Sequence, residues 1–183
     1  MSAVRRLWHW ASILILAASA GSAADGVQTQ VPDFELKTPD GETVSLKSRL
    51  EAGPVLINFW TTWCKPCQKE LPELSKLYEK YKDKGFTLLA VSEDDQRTQS
   101  KVRPTVKSRG YAFPVLLDPD HRVGNLFGVR NYPTNVLIAS DGRIAVTTEG
   151  YRKGDETRME KEILRLIEAH GAAAEEDEAE DEG

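Results

Sequence analysis

Cys64 and Cys67 are the chain's two cysteines, and two residues separate them in the stretch FWTTWCKPCQKELPEL. Three chemistries use such a pair: a structural disulfide, half of a metal site, or a dithiol built to open and close. A disulfide across so short a loop constrains the unfolded chain little, and a chain of 183 residues can build its core without one. The run VLINFW, Val55 to Trp60, precedes the pair and reads as a strand buried on both faces. After it Leu71, Leu74, Leu77, Tyr78 and Tyr81 recur at helical spacing up to a stop at Lys84 and Gly85. This junction puts Cys64 at a helix N-terminus, where free backbone N–H groups and the macrodipole favour a thiolate. Such placement lowers a thiol pKa from ~8.5 into the range ~3.5 to 7.5. Cys64 is therefore the expected nucleophile. Cys67, almost one turn later, faces inward within reach of a mixed disulfide at Cys64, which makes it the expected resolving thiol. Pro66 fits the first helical turn; Lys65 either adds to the thiolate's stabilisation or is a solvated, screened charge.

The elements that must position this pair follow from the rest of the pattern. VPDFELKTPDGETVSL reads as a hairpin, Phe34 to Leu36 against Thr43 to Leu46, around a Pro39-Asp40-Gly41 turn. FTLLAVS reads as a second buried strand, and Glu93 to about Arg109 as a polar segment containing a helix with a poor apolar face, interrupted near Pro104. FPVLLD reads as a short strand, and Asp120 to Phe127 as a helical turn or two. TNVLIAS and RIAVTTEG flank Asp141-Gly142, an antiparallel hairpin signal. The last helix sets Met159, Ile163, Leu166 and Ile167 on one face and ends at His170-Gly171. The order predicts an α/β domain with a mixed central sheet, helices on both faces and an extra N-terminal β-hairpin.

Arg5 and Arg6 precede an apolar run of 14 residues, Leu7 to Ala20, followed by small residues to Ala24. This is the layout of a signal peptide over residues 1–24, shorter than the ~20 residues of a spanning helix. An uncleaved anchor through residues 7–20 is the alternative. Either one delivers the domain, residues 25–170, to the periplasm or another extracytoplasmic space. The net charge of −5 comes from the end of the chain: residues 25–174 carry 22 basic and 22 acidic residues, and EEDEAEDEG adds seven acidic ones. Residues 171–183 are expected to form an acidic, disordered tail. No basic stripe marks a nucleic-acid surface.

With Trp63 before the first cysteine, Pro72 five residues after the second, and Tyr132-Pro133-Thr134 before NVLI, the chain resembles the thioredoxin superfamily. VPDFEL, CKPCQKELPEL, FPVLLDPDHRVGNLFGV and PTNVLIASDGRI extend the resemblance to the TlpA/ResA-like branch, over Val31 to His170. The resemblance implies a thioredoxin-like fold and thiol-disulfide oxidoreductase activity on cysteine-containing protein substrates. It further implies a cis peptide bond at Pro133 and a groove bordered by Trp63, Tyr132, Pro133 and Thr134. Asn58 stands where thioredoxin carries a buried aspartate. Glu70, three residues after Cys67, matches the branch's active-site glutamate. A carboxylate in partly apolar surroundings has a raised pKa and can take the Cys67 proton; otherwise Glu70 is a solvated residue paired with a lysine. No cofactor is implied beyond the redox-active Cys64–Cys67 disulfide. The electron donor implied is a membrane thiol reductase of the CcdA/DsbD type, and the direction implied is reduction. Where cytochrome c maturation relatives often carry a GAPE-like loop, this chain has VRNYPTN, which leaves the client open.

Two other classes fit part of the pattern. A copper chaperone of similar fold would add a histidine, His121 or His170, to both thiolates, although His121 in DPDHR reads as a solvated loop residue. A thiol peroxidase would use Thr61, three residues before Cys64.

Overall fold

The computed structural model describes residues 30–181, with side chains described through residue 175. The expected signal or anchor segment, residues 1–24, lies outside the described residues.

Seven strands form one mixed sheet in the order β2-β1-β5-β4-β3-β6-β7. At its centre β3 (Val55–Trp60) and β4 (Thr87–Ser92) run parallel. Every residue of β3 is buried, as its unbroken apolar run requires of a strand covered on both faces. β5 (Val115–Leu117) continues the parallel set beyond β4, and β6 (Thr134–Ile138) runs antiparallel on the other side of β3. β7 (Ile144–Glu149) pairs with β6 across the Asp141-Gly142 turn, where Gly142 takes the positive φ, 84°, that the turn demands. β1 (Glu35–Lys37) and β2 (Thr43–Ser45) form the expected N-terminal hairpin, and β1 meets β5 at Lys37 and Leu117.

Alternation along the central strands divides the core. Leu56, Trp60, Leu88 and Ala90 face a cluster with α2 (Lys65–Tyr81) and α5 (Asp155–Asp181), which contribute Leu71, Leu74, Met159 and Ile163. Val55, Ile57, Phe59, Leu89 and Val91 face the opposite cluster. Its cover comes from α1 (Leu46–Leu50), α4 (Arg122–Leu126) and the N-terminal hairpin. The mixed sheet with helices on both faces and an extra hairpin is thus the architecture observed. α2 passes into a 3₁₀ turn and stops at Gly85, φ 84°, whose missing side chain is needed because a Cβ would lie 2.5 Å from the Ala52 carbonyl oxygen.

Three local expectations are corrected. Leu46, expected to end the second hairpin strand, instead opens α1: Ser45 ends β2 and caps the helix, its hydroxyl accepting from the Ser48 N–H. Pro104 does not interrupt its helix; α3 (Val102–Arg109) begins two residues earlier, so the proline occupies the first turn, where a missing N–H costs nothing. α5 does not stop at His170-Gly171, and its helical run continues to Asp181. Ala172 to Ala174 and the glutamates after them are good helix formers, and one interior glycine costs only about 1 kcal/mol. Among the described residues, no helix is long and apolar enough to cross a membrane.

The chain enters the domain beside the β6–β7 turn. Val31 N–H donates to the Gly142 carbonyl at 3.0 Å, and Gln30 bridges to Arg143.

Candidate active site

β3 delivers the chain directly to the cysteine pair. Cys64 is the N-cap of α2, with extended backbone, and its Sγ accepts a hydrogen bond from the Cys67 N–H at 3.1 Å. The two sulfurs form a disulfide. Cys64 keeps 5% of its surface exposed and Cys67 none, so solvent reaches the pair only at Cys64. The turn before the helix is tied down from β4. Asp94 accepts from the Thr62 N–H at 2.7 Å and from the Thr62 hydroxyl at 2.6 Å, and Ser92 donates to the same carboxylate at 2.9 Å.

Beneath Cys67, α2 carries Glu70 one turn on, on the buried face. Glu70 is not a solvated residue paired with a lysine: it is 4% exposed. Its Oε2 accepts from Asn58 Nδ2 at 2.9 Å and its Oε1 from Asn135 Nδ2 at 2.8 Å. Asn58 Nδ2 also donates to Asn135 Oδ1 at 2.8 Å. The two amides meet because the antiparallel register of β3 and β6 sets Asn58 opposite Asn135. Burial pushes the Glu70 carboxyl up from 4.5 to about 7. The amide hydrogen bonds oppose the rise, and the charges of Asp155 and Glu156 add to it. A cavity of about 20 Å³, bounded in part by Glu70, Asn135, Tyr151, Asp155 and Glu156, lies on the α5 side of the carboxyl. It has room for one water molecule.

The pairing of Phe59 with Thr134 brings the start of β6 to the same end of the sheet as Trp60 and the cysteines. Just before it, the Tyr132–Pro133 bond is cis. The Pro133 carbonyl is taken by the Gly150 N–H at 2.7 Å, and the buried Thr134 hydroxyl donates to the Asn131 carbonyl at 2.7 Å. Thr134 therefore shapes the loop from within. Trp63, 61% exposed, meets half-buried Tyr132 edge to face, ring centroids 5.9 Å apart. An aromatic wall thus stands between the cysteine loop and the cis-proline loop.

Sequence reasoning missed Asn135, Asp94 and Glu93. A polar residue in the apolar run TNVLI and the acidic cluster closing LLAVSEDD were their signals. His121, read as a solvated loop residue, precedes α4 with its side chain 42% exposed, and its Nδ1 lies 2.6 Å from the buried Glu93 Oε2. Among the described residues, no cluster of three or more histidine, cysteine or acidic side chains is arranged to hold a metal ion.

Comparison with known proteins bears on this geometry. Residues 27–147 match the model of the AhpC/TSA family. Thiol-disulfide oxidoreductase ResA of Bacillus thuringiensis strain Al Hakam is 35% identical over 150 residues, covering 76% of this chain and 85% of the relative. ResA of Bacillus subtilis strain 168 is 34% identical over 131 residues, covering 72% of each. Among solved structures, a Chlorobium tepidum protein provisionally assigned as thiol:disulfide interchange protein DsbE superposes with a TM-score of 0.70 at 29% identity. It covers 76% of this chain and 96% of that one. StoA of Bacillus subtilis superposes at 0.60 with 26% identity, covering 71% and 95%. With the disulfide at the N-terminus of α2 and a cis-proline loop at the same end of the sheet, the chain belongs to the AhpC/TSA family and is a thiol-disulfide oxidoreductase of thioredoxin-like fold.

Proposed function

We propose that the protein reduces disulfides of cysteine-containing protein clients outside the cytoplasm. The observation that carries the mechanism is Glu70, a buried carboxyl one turn beyond Cys67 whose proton is exchanged near neutral pH. The Cys64 thiolate attacks a client disulfide, forming a mixed disulfide and releasing one client thiolate. The Cys67 thiol gives its proton to ionised Glu70, and the resulting thiolate attacks Cys64 Sγ. The Cys64–Cys67 disulfide forms, the second client sulfur leaves as a thiolate, and two electrons have passed to the client. The proton on Glu70 leaves through the water-sized cavity beside Tyr151 and Glu156. Trp63, Tyr132, Pro133 and Thr134 supply and shape the groove. A strand-like client segment lies along the cis-proline loop, whose proline has no N–H to compete for its hydrogen bonds.

The signal layout of residues 1–24 supports an extracytoplasmic location, periplasmic or membrane-anchored. In an oxidising compartment a reductant needs a source of electrons, and a membrane thiol reductase of the CcdA/DsbD type fits that need. Cytochrome c maturation is one process such a reductant serves.

The reduction potential of the Cys64/Cys67 couple, measured in a dithiothreitol buffer on protein lacking residues 1–24, tests the direction. A value near about −270 mV or lower supports the reductant, whereas one near about −120 mV makes the protein a disulfide donor. Peroxide turnover matching the rate of client reduction would favour the peroxidase class instead.

A further inference from the structure

Glu93 is a buried acidic side chain that the exchange chemistry leaves unused. It follows β4 directly, and its N–H donates to the Trp60 carbonyl at 2.8 Å, so it sits at the carboxyl end of the two central strands, where open α/β sheets place their ligands. Its side chain is 1% exposed. Oε2 lies 2.6 Å from His121 Nδ1, and Oε1 has no hydrogen-bond partner among the described residues. The fold makes room for this carboxyl: a Cβ on Gly124 would lie 2.6 Å from Oε2 and 2.7 Å from Oε1. His121 reaches it from a left-handed backbone conformation, φ 54°, uncommon for a residue other than glycine and a frequent mark of functional sites. A plain structural brace between β4 and α4 would not need an unpaired buried oxygen, which is costly.

What Glu93 faces gives it a use. Asp118 lies near it but is committed to capping α4, accepting from the N–H groups of Arg122, Val123 and Gly124. From the cis-proline loop comes Tyr132, whose hydroxyl burial and then the Glu93 charge push up to about 12, with Asp118 and Asp94 adding to the effect. Tyr132 in turn meets Trp63 beside Cys64. The groups in line are therefore His121, Glu93, Tyr132 and Trp63.

We propose that Glu93 and His121 are a positioning pair for the client groove: ionised Glu93 accepts a hydrogen bond from the Tyr132 hydroxyl and holds its ring against Trp63, and protonation of Glu93 releases that wall. The inference rests on Trp63 and Tyr132 bordering the groove. Burial, followed by hydrogen bonding with Asp118 and then by its charge, raises the Glu93 carboxyl to about 7, against the pull of His121. The wall is thus held above neutral pH and loosened below it. Client exchange depends on it; exchange with a small disulfide that does not use the groove does not.

The test is the second-order rate of the pre-reduced protein with insulin, and separately with hydroxyethyl disulfide, from pH 5.5 to 9. Taking the ratio of the two rates cancels the titrations of Cys64 and Glu70, which both reactions share. The ratio is expected to rise about 3- to 10-fold through neutral pH, the range of one net hydrogen bond. E93Q and Y132F should abolish the step. H121N, whose asparagine tolerates the left-handed backbone, should move it to higher pH, because the ring hydrogen bond that favours the charged carboxylate is gone. A brace with no positioning role would change stability and leave the step in place. A ratio flat with pH in the wild type, or a step that survives E93Q, overturns the pair; if E93Q does not fold, an unmoved step in H121N does so. If W63A leaves the ratio at its wild-type value, the groove reading fails and this inference with it. If W63A lowers the ratio while the step survives E93Q, the positioning pair alone is wrong.

Discussion

Glu70 concentrates the opposing forces of the site. Burial penalises its charged form, while the two amides that donate to it favour that form, and burial wins. Because its pKa is raised in the folded state, Glu70 contributes stability that is fully present below pH 4.5 and is lost as pH rises through about 7. The full loss for a shift of this size is about 3 kcal/mol. Glu70→Gln should remove that slope. Glutamine keeps the carboxyl's shape and one acceptor for the two amides, so the variant is expected to fold. Denaturant unfolding of oxidised protein at pH 4.5, 6 and 8 checks this: the variant should gain on the wild type as pH rises, and parallel curves would show that Glu70 does not titrate in this window. Asn135→Ala should steepen the slope by removing one donor. Glu70 was legible in the sequence through its spacing from Cys67 and a family resemblance, but Asn135 was not. Its contact with residue 70 depends on which strand pairs with β3 and in what register, information that no local window of sequence holds.

At the scale of elements, the parts that locate the cysteines were legible because their signals are local. An unbroken apolar run marks β3, 3.6-residue spacing marks α2, and Asp-Gly marks the β6–β7 turn. Helix ends were less so, since Gly171 and Pro104 are breakers whose effect depends on position within the turn. α5 shows how unequal its two halves are: Met159, Ile163 and Leu166 are buried against α2, whereas residues 171–175 are exposed. Deleting residues 171–183 should therefore change the unfolding free energy by less than about 0.5 kcal/mol. Ile163→Ala should cost about 2 to 5 kcal/mol through the cavity it leaves. A large loss on truncation would mean that the acidic extension packs on the domain.

Across the whole molecule, stability should be graded from the centre of the sheet outward. β3 and β4 lie between two helical layers, while β7 has an exposed face and β2 forms the opposite edge. Amide hydrogen exchange is expected to be slowest in β3 and β4 and fastest in β2 and the outer residues of β7. Uniform protection would instead point to a single cooperative opening of the whole domain. The entry of the chain beside Gly142 and Arg143 has an orientational consequence. β6 runs away from the cis-proline loop, so the β6–β7 turn stands a strand's length, roughly 15 to 20 Å, from the Cys64–Cys67 end of the sheet. Gln30 and Val31, where the described chain begins, therefore lie at the pole opposite the disulfide. A domain held by that pole would turn its sulfurs outward, away from whatever holds it.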